Sequence, residues 1–317
     1  MERQSRPIWY GFACLTAVVA LAACSDDGNG DEATPPCDAA AEPLAVVRNS
    51  EQSVGGAEVW IDQAASRPRL ISGEWVATRP SFSPDGAHVA VTRAQGNYES
   101  AGPESTDIWV LGVDGSRPRN LTEAGPGQYY DDAAWSPDGE RVAYSASAQR
   151  IEVVPAAGGA PTRVTVAQAR TQVRAPAWSP SGKQLAYVHA VPGPGPLAEI
   201  RIIDPDGSDE RAVTAVSADI NTLDWSPDGR TLLASVGQSG QQAFSIDVAS
   251  GDATEIGDAA FARWSGDGQR VYFIGPGRQL LVGSLTNNRL TGSHNIDEYE
   301  WAFVYPYLGL AVDRCAP

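Results

Sequence analysis

The sequence predicts an all-β chain, a six-bladed β-propeller of four-stranded blades, on three observations. One eleven-residue pattern, Ala134-Trp135-Ser136-Pro137-Asp138-Gly139-Glu140-Arg141-Val142-Ala143-Tyr144, recurs around Trp178-Ser179-Pro180-Ser181-Gly182, around Trp225-Ser226-Pro227-Asp228-Gly229 and, with Phe for Trp, around Phe82-Ser83-Pro84-Asp85-Gly86. A fifth copy, Trp264-Ser265-Gly266-Asp267-Gly268, carries Gly in place of Pro. The aromatics stand 53, 43, 47 and 39 residues apart, a period of the size of a propeller blade. Each copy is followed by alternating residues, Val142 and Tyr144 across Ala143 or Leu185 and Tyr187 across Ala186, the pattern of a half-buried strand.

The motif itself reads as a hairpin bend. Pro presets φ for the second turn position, Asp tolerates the third, and Gly accepts positive φ where the chain re-enters a strand. The aromatic before the turn holds a fixed place on the first strand, where it can pack against the neighbouring repeat. Each repeat then offers two more strands, such as Asp107–Leu111 with Arg119–Thr122 after Asp114-Gly115, and Ile200–Ile203 with Arg211–Thr214 after Asp206-Gly207. Four strands per repeat make one blade.

At the N-terminus, Arg3 and Arg6 precede an almost uncharged apolar run from Ile8 to Ala23, which reads as a targeting segment over residues 1–23. Leu21-Ala22-Ala23-Cys24 resembles a bacterial lipobox, which implies that Cys24 carries lipid and begins the mature chain. Cleavage after Ala23, or nearby, by ordinary secretory processing is the other reading; either way the domain is exported. Ser25, rather than Asp, follows the cysteine, which by the same resemblance favours the outer membrane, facing the periplasm. Residues 24–43, rich in Gly, Asp, Ala and Pro, read as a tether that spans at most about 45 Å from Cys24 to Cys37.

The propeller is expected over 44–317. Leu44–Val47, Glu58–Asp62 and Arg69–Ser72 match the later strands of a blade that lacks its first. Tyr299–Phe303, with Trp301 standing 37 residues after Trp264, and Leu308–Val312 supply strands at the other end. Joining both termini in a sixth blade removes exposed edges. Leu44–Val47 and Leu308–Val312 both compete for one place in it. The longest irregular insertions, Ala94–Thr106 and Val191–Leu197, are expected as rim loops.

A Trp-Ser-Pro-Asp-Gly turn followed by a Leu/Val-Ala-Tyr strand resembles the WD40-like PD40 repeat of the TolB-like six-bladed β-propellers, and the match covers nearly all of residues 44–313. TolB itself carries a separate N-terminal α/β domain, whereas only the tether precedes the blades here, so a place in the Tol-Pal machinery does not follow. The same repeats form the gating propeller of prolyl oligopeptidases, but the chain has no Gly-x-Ser-x-Gly elbow.

The 317 residues, 42% hydrophobic, can bury a sizeable core. The formal charge of −16 argues against nucleic acid or an anionic lipid surface as partner. Basic, neutral or peptidic partners fit better, unless the acidity serves solubility alone. His88, His189 and His294 lie in three different repeats, and neither His-x-x-x-His nor Cys-x-x-Cys occurs, so no metal and no other cofactor is expected. Asp204–Asp209 has the acidity of a calcium loop without EF-hand spacing and reads as a turn.

The residues four before each aromatic, Thr78, Asp131, Arg174, Asn221, Ala260 and Asp297, are expected at the channel mouth, with Tyr129, Tyr130, Asp132 and Tyr299 nearby. Tyr130 and Arg174 are expected to be exposed, in loops leading into the inner strands. Such a mixed ring suits a peptide or polar ligand, or it is simply the polar lining of a water-filled channel. The resulting expectation is a monomeric, non-enzymatic, lipid-anchored scaffold of the cell envelope that binds a protein or peptide and touches the membrane only through its lipid. The alternative is a small-molecule-binding or metal-dependent, lactonase-like propeller using Asp131, Asn221 and Asp297. Finally, Cys37 and Cys315 flank the domain, and a blade built from both termini would bring them together as a disulfide; two unpaired thiols are the other possibility.

Overall fold

The computed structural model describes residues 44–49, 57–62, 69–72, 76–96, 103–191, 197–236, 242–276, 279–287, 289–295 and 310–312. The targeting segment, the tether, Cys24, Cys37, Cys315, Asp297, Tyr299 and the expected strand Tyr299–Phe303 lie outside these residues.

All regular structure among the described residues is strand. The chain opens with β1 (Leu44–Asn49), β2 (Ala57–Asp62) and β3 (Arg69–Leu70). A first blade follows from β4 (Ala77–Phe82), β5 (His88–Gln95), β6 (Ser105–Gly112) and β7 (Arg119–Asn120). The second comprises β8 (Tyr130–Trp135), β9 (Arg141–Ala146), β10 (Arg150–Pro155) and β11 (Thr162–Val166). The third comprises β12 (Gln172–Trp178), β13 (Leu185–Val191), β14 (Leu197–Ile203) and β15 (Arg211–Val216). The fourth runs through β16 (Ile220–Trp225), β17 (Thr231–Val236), β18 (Ala243–Asp247) and β19 (Ala253–Gly257). The fifth runs through β20 (Ala260–Trp264), β21 (Val271–Ile274), β22 (Leu280–Thr286) and β23 (Arg289–Asn295), before β24 (Leu310–Val312).

Each of these five blades is an antiparallel meander of four consecutive strands, and a further four-stranded sheet joins β24 to β1, β2 and β3. The two segments that compete for one place in the sequence are thus both used. Leu310–Val312 takes the inner position, and Leu44↔Val312, Ala45↔Ala311 and Val46↔Leu310 pair antiparallel. Inner strands lie side by side in a ring, from β4 to β8, β12, β16, β20, β24 and back to β4.

The turn motif is built as its chemistry dictates. In the second blade the Ser136 hydroxyl donates to Asp138 and accepts from the Arg141 N–H at 2.9 Å, while Asp138 Oδ1 accepts from the Glu140 N–H at 3.0 Å. Gly139, at φ 72°, closes the turn by donating to the Ser136 carbonyl. The hydroxyl contacts hold the Asp85, Asp138 and Asp228 carboxyls below their usual range, helped by the backbone N–H each accepts.

Adjacent copies also lock together. A Cβ on Gly182 would come within 3.3 Å of the Pro137 ring, and one on Gly268 within 3.2 Å of Pro227. The proline of one copy therefore packs on the glycine of the next. Indoles bridge the same joints: Trp135, Trp178 and Trp225 donate from Nε1 to the carbonyls of Ser81, Ala134 and Ala177 in the preceding blade, at 3.0, 3.1 and 3.1 Å.

Two expectations need correction. Val142, Ala143 and Tyr144 are all buried, so the second strand is not half-exposed: each blade is packed between two others and both of its faces are core. The rim insertions are also shorter than expected, because β5 and β6 extend to Gln95 and back to Ser105, and β13 and β14 run to Val191 and from Leu197.

Candidate functional site

The antiparallel meander places the Ser-Pro-Asp-Gly turns on one face of the ring. The opposite face receives the starts of the inner strands and the hairpins between second and third strands. On the turn face, proline packs on glycine from copy to copy. The loop face is where the expected site residues gather.

The inner strand of each of the five consecutive blades is bulged near its start. Register shifts fall between Thr78 and Ser81, Asp131 and Ala134, Arg174 and Ala177, Ile220 and Thr222, and Ala260 and Arg263. In four of the five the residue three before the aromatic is left-handed without being glycine: Arg79 (φ 50°), Asp132 (φ 58°), Ala175 (φ 51°) and Phe261 (φ 53°). A left-handed non-glycine residue costs on the order of 1–2 kcal/mol, and it persists where surrounding bonds over-determine it. Bulges re-aim side chains, and here they turn the expected site residues into contacts between blades.

Arg79, from the first blade, reaches Asp131 Oδ2 of the second with Nε at 3.1 Å and pairs with Asp132 through Nη1. Thr92 donates to Asp131 Oδ1 at 2.7 Å. Asp132, only 10% exposed, accepts at Oδ2 from the Ser145 hydroxyl at 3.2 Å and from the Ala175 N–H of the third blade at 3.0 Å. One pair of adjacent aspartates thus ties three blades together. Burial pushes the Asp131 carboxyl up, and the Asp132 charge adds to this; Arg79 and the Thr92 hydroxyl oppose it.

Arg174 is half-buried within β12 rather than exposed in a loop. Its Nε donates to the Ile220 carbonyl at 3.0 Å and Nη2 pairs with Asp219, both from the fourth blade. Tyr130 likewise departs from expectation: it starts β8, is half-buried, and sets its ring edge-on to Tyr144 with centroids 5.5 Å apart. Its neighbour Tyr129 is the exposed one, at 42%, with its hydroxyl donating to the Pro103 carbonyl at 3.3 Å. Asn221 is half-buried and donates to the Asp219 carbonyl at 3.1 Å, Thr78 is half-buried in β4, and Ala260 is buried. The structure therefore brings Thr78, Tyr129, Tyr130, Asp131, Arg174 and Asn221 to one face, distributed over four inner-strand starts.

Arg79 and Asp219 were not legible as site residues. A bulge shifts the effective position by one, and spacing from the aromatic carries no sign of that; the recurrence of a polar residue three before the aromatic, at Arg79 and Asp132, was the available hint. Among the described residues no group of three or more His, Cys, Asp or Glu side chains is placed to hold a metal ion. His189 donates or accepts at Glu199, while Asp204–Asp209 forms a hairpin turn closed by the Gly207 N–H on the Asp204 carbonyl.

Comparison with solved structures finds the same fold in TolB from Acinetobacter baumannii (TM-score 0.62, 17% identity, covering 86% of this chain and 66% of that one). A protein from Agrobacterium tumefaciens assigned as TolB also matches (TM-score 0.52, 20% identity, 67% and 79% covered). This chain thus spans just under two thirds of the Acinetobacter protein's length. A search of curated proteins found no match. Residues 132–293 match the TolB beta propeller domain family, PD40, which takes in the second to fifth blades and the Ser-Pro-Asp-Gly turns that lock them. On that match, and on the strands and turns it covers, the chain belongs to the TolB beta propeller domain family.

Proposed function

We propose that the chain is a non-enzymatic scaffold of the cell envelope, a closed six-bladed ring that binds a protein or peptide at its loop face. One observation carries the reading: the inner-strand starts are strained, bulged and cross-braced from blade to blade, as a rigid recognition surface requires. Tyr129, exposed beside this braced surface, supplies an aromatic contact, the residue type enriched at interfaces. Among the described residues the turn aspartates Asp85, Asp138, Asp228 and Asp267 accept hydrogen bonds within their own turns rather than bracing one blade against the next. Membership of the TolB beta propeller domain family supports an interaction role and an envelope location.

Anchoring through a lipid on Cys24 belongs to the same proposal, as does a Cys37–Cys315 disulfide that fastens the two ends of the ring. Fractionation of Cys24→Ser cells should move the protein from membrane to soluble periplasm, and unreduced peptide mapping should recover Cys37 and Cys315 joined; membrane retention or two freely alkylated thiols would remove the respective claim.

The binding reading is tested by capture from envelope extracts with the intact lipoprotein. Wild type and Lys183→Ala, a change on the turn face, should recover the same partner, and Tyr129→Ala should lose it. Equal recovery by all three would remove the case for the loop face. Stoichiometric divalent metal, or hydrolysis of lactones, would favour an enzyme instead.

A further inference from the structure

In the second blade, Trp135 at the end of β8 pairs with Val142 near the start of β9, and the 136–141 turn joins them on the turn face. In the composite sheet Val312, at the end of β24, pairs with Leu44, at the start of β1, in the corresponding place. No turn joins these two strands, because they come from opposite parts of the sequence. Residues before Leu44 and residues after Val312 therefore leave the ring side by side on the turn face, where each of the five consecutive blades carries a hairpin. The loop face lies at the other end of strands of six or seven residues, about 20 Å away.

The stretch from Cys24 to Leu44 lies outside the described residues, but its length and charge bound what it can do. Its 20 steps span at most about 70 Å, and a tether of this composition averages about 25 Å. Asp26, Asp27, Asp31, Glu32, Asp38 and Glu42 are balanced by no Lys, Arg or His in this stretch, so like charges extend it and nothing in it is drawn to anionic headgroups. To present the loop face to the anchoring membrane, the tether would have to run about 10 Å outward past β2 and β3 and then about 20 Å along the blade. That path exceeds its average span and costs conformational entropy, whereas leaving directly from the turn face needs neither step. A Cys37–Cys315 disulfide would strengthen the bias, since Cys315 follows Val312 by three residues and only 13 steps of tether would stay free.

We propose that the chain stands with its turn face toward the membrane that anchors it and its loop face toward the aqueous side of the envelope. The orientation rests on the lipid at Cys24 proposed above. It narrows the partner to a soluble protein or peptide that approaches the loop face from the aqueous side, rather than a protein embedded in the anchoring membrane.

Lys183, exposed in the turn between β12 and β13, is the only lysine of the chain, so an amine-reactive fluorophore marks the turn face. Combining Lys183→Arg with Gln149→Lys, at an exposed position of the β9–β10 hairpin, moves the mark to the loop face, and Lys183→Arg alone measures labelling of the α-amine. The full lipoprotein is bound to phosphatidylcholine vesicles that carry a headgroup-linked acceptor dye, recovered by flotation and read by energy transfer. Transfer from the mark at Lys183 should exceed that from the mark at position 149 by roughly twofold or more, given about 20 Å between the faces. Should Gln149→Lys fail to fold, Gln168→Lys, at an exposed position between β11 and β12, supplies the loop-face mark. Equal or reversed transfer in protein that floats would overturn the orientation and leave the lipid anchor standing. Protein that does not float would remove the anchor, and the orientation with it.

Discussion

Trp178→Ala probes the joint between the second and third blades. Trp178 ends β12, is 7% exposed, and shares a buried cluster with Ile151, Val153 and Val164 of the second blade and with Val173, Leu185, Tyr187 and Ile203 of its own. Removing a buried Trp side chain costs about 3–5 kcal/mol, through lost transfer energy and the cavity left behind. Two further contacts span the joint. The indole donates to the Ala134 carbonyl at 3.1 Å, worth about 1 kcal/mol, and the Arg141 guanidinium carbon lies 4.6 Å from the indole centroid, worth about 0.5–1 kcal/mol at a partly exposed site. Trp178→Phe keeps most of the buried area and loses the hydrogen bond, so it should cost about 1–2 kcal/mol. Domain stabilities are about 5–15 kcal/mol, so the alanine variant should lower the urea midpoint severely while the phenylalanine variant remains folded at 25 °C. Unfolding followed by far-ultraviolet circular dichroism gives both values. A loss below about 1 kcal/mol for Trp178→Ala, or equal losses for the two variants, would refute the view that the repeated aromatic is core and bridge at once.

Gly182→Ala forces a side chain onto φ 68° and against the Pro137 ring, and should cost about 1–2 kcal/mol in the same assay. Asp132→Ala strips Arg79, Ser145 and the Ala175 N–H of a common acceptor and should cost about 3 kcal/mol, whereas Asp132→Asn, which still accepts from Ala175, should cost less. Equal losses for those two would mean that charge alone matters there. The turn aspartates Asp85, Asp138 and Asp228 are held below their ordinary value of 3.8, so their contribution is present above that value and is lost as pH falls through the folded values. Stability against urea should therefore decline below about pH 4, and Asp138→Asn should make that decline shallower.

Much of the fold was legible because its instructions are local. A Ser-Pro-Asp-Gly turn closes through atoms within five residues of one another, and a hairpin follows whatever the rest of the chain does; spacing the copies at blade length then implies a ring. The strand pair drawn from both termini was legible for a related reason, since a blade without its first strand must find one. Spacing from Trp264 pointed to Tyr299–Phe303, which lies outside the described residues, for the inner place, and left Leu44–Val47 and Leu308–Val312 competing for the strand beside it because both are apolar. Only sheet pairing decided that β24 lies inside β1. Nor could the sequence show that both faces of β9 are buried: alternation implies one wet face, and it is packing between neighbouring blades that removes the water from both.

The candidate site divides the same way. Spacing from the aromatic singled out Asp131, Arg174 and Asn221 as channel-mouth residues and read Arg174 as exposed in a loop, whereas all three lie half-buried within β8, β12 and β16. Their partners, Arg79, Asp132 and Asp219, come together over sequence separations of about fifty residues, from bulges whose left-handed residues carry no glycine to mark them. Sequence by itself determined the turns, the blade period and the aromatic that joins one blade to the next, because each is set by bonds along a short stretch of chain. Tertiary structure alone decided which charges meet, which tyrosine faces solvent and which strand closes the ring, because those depend on where each strand's neighbours stand in space.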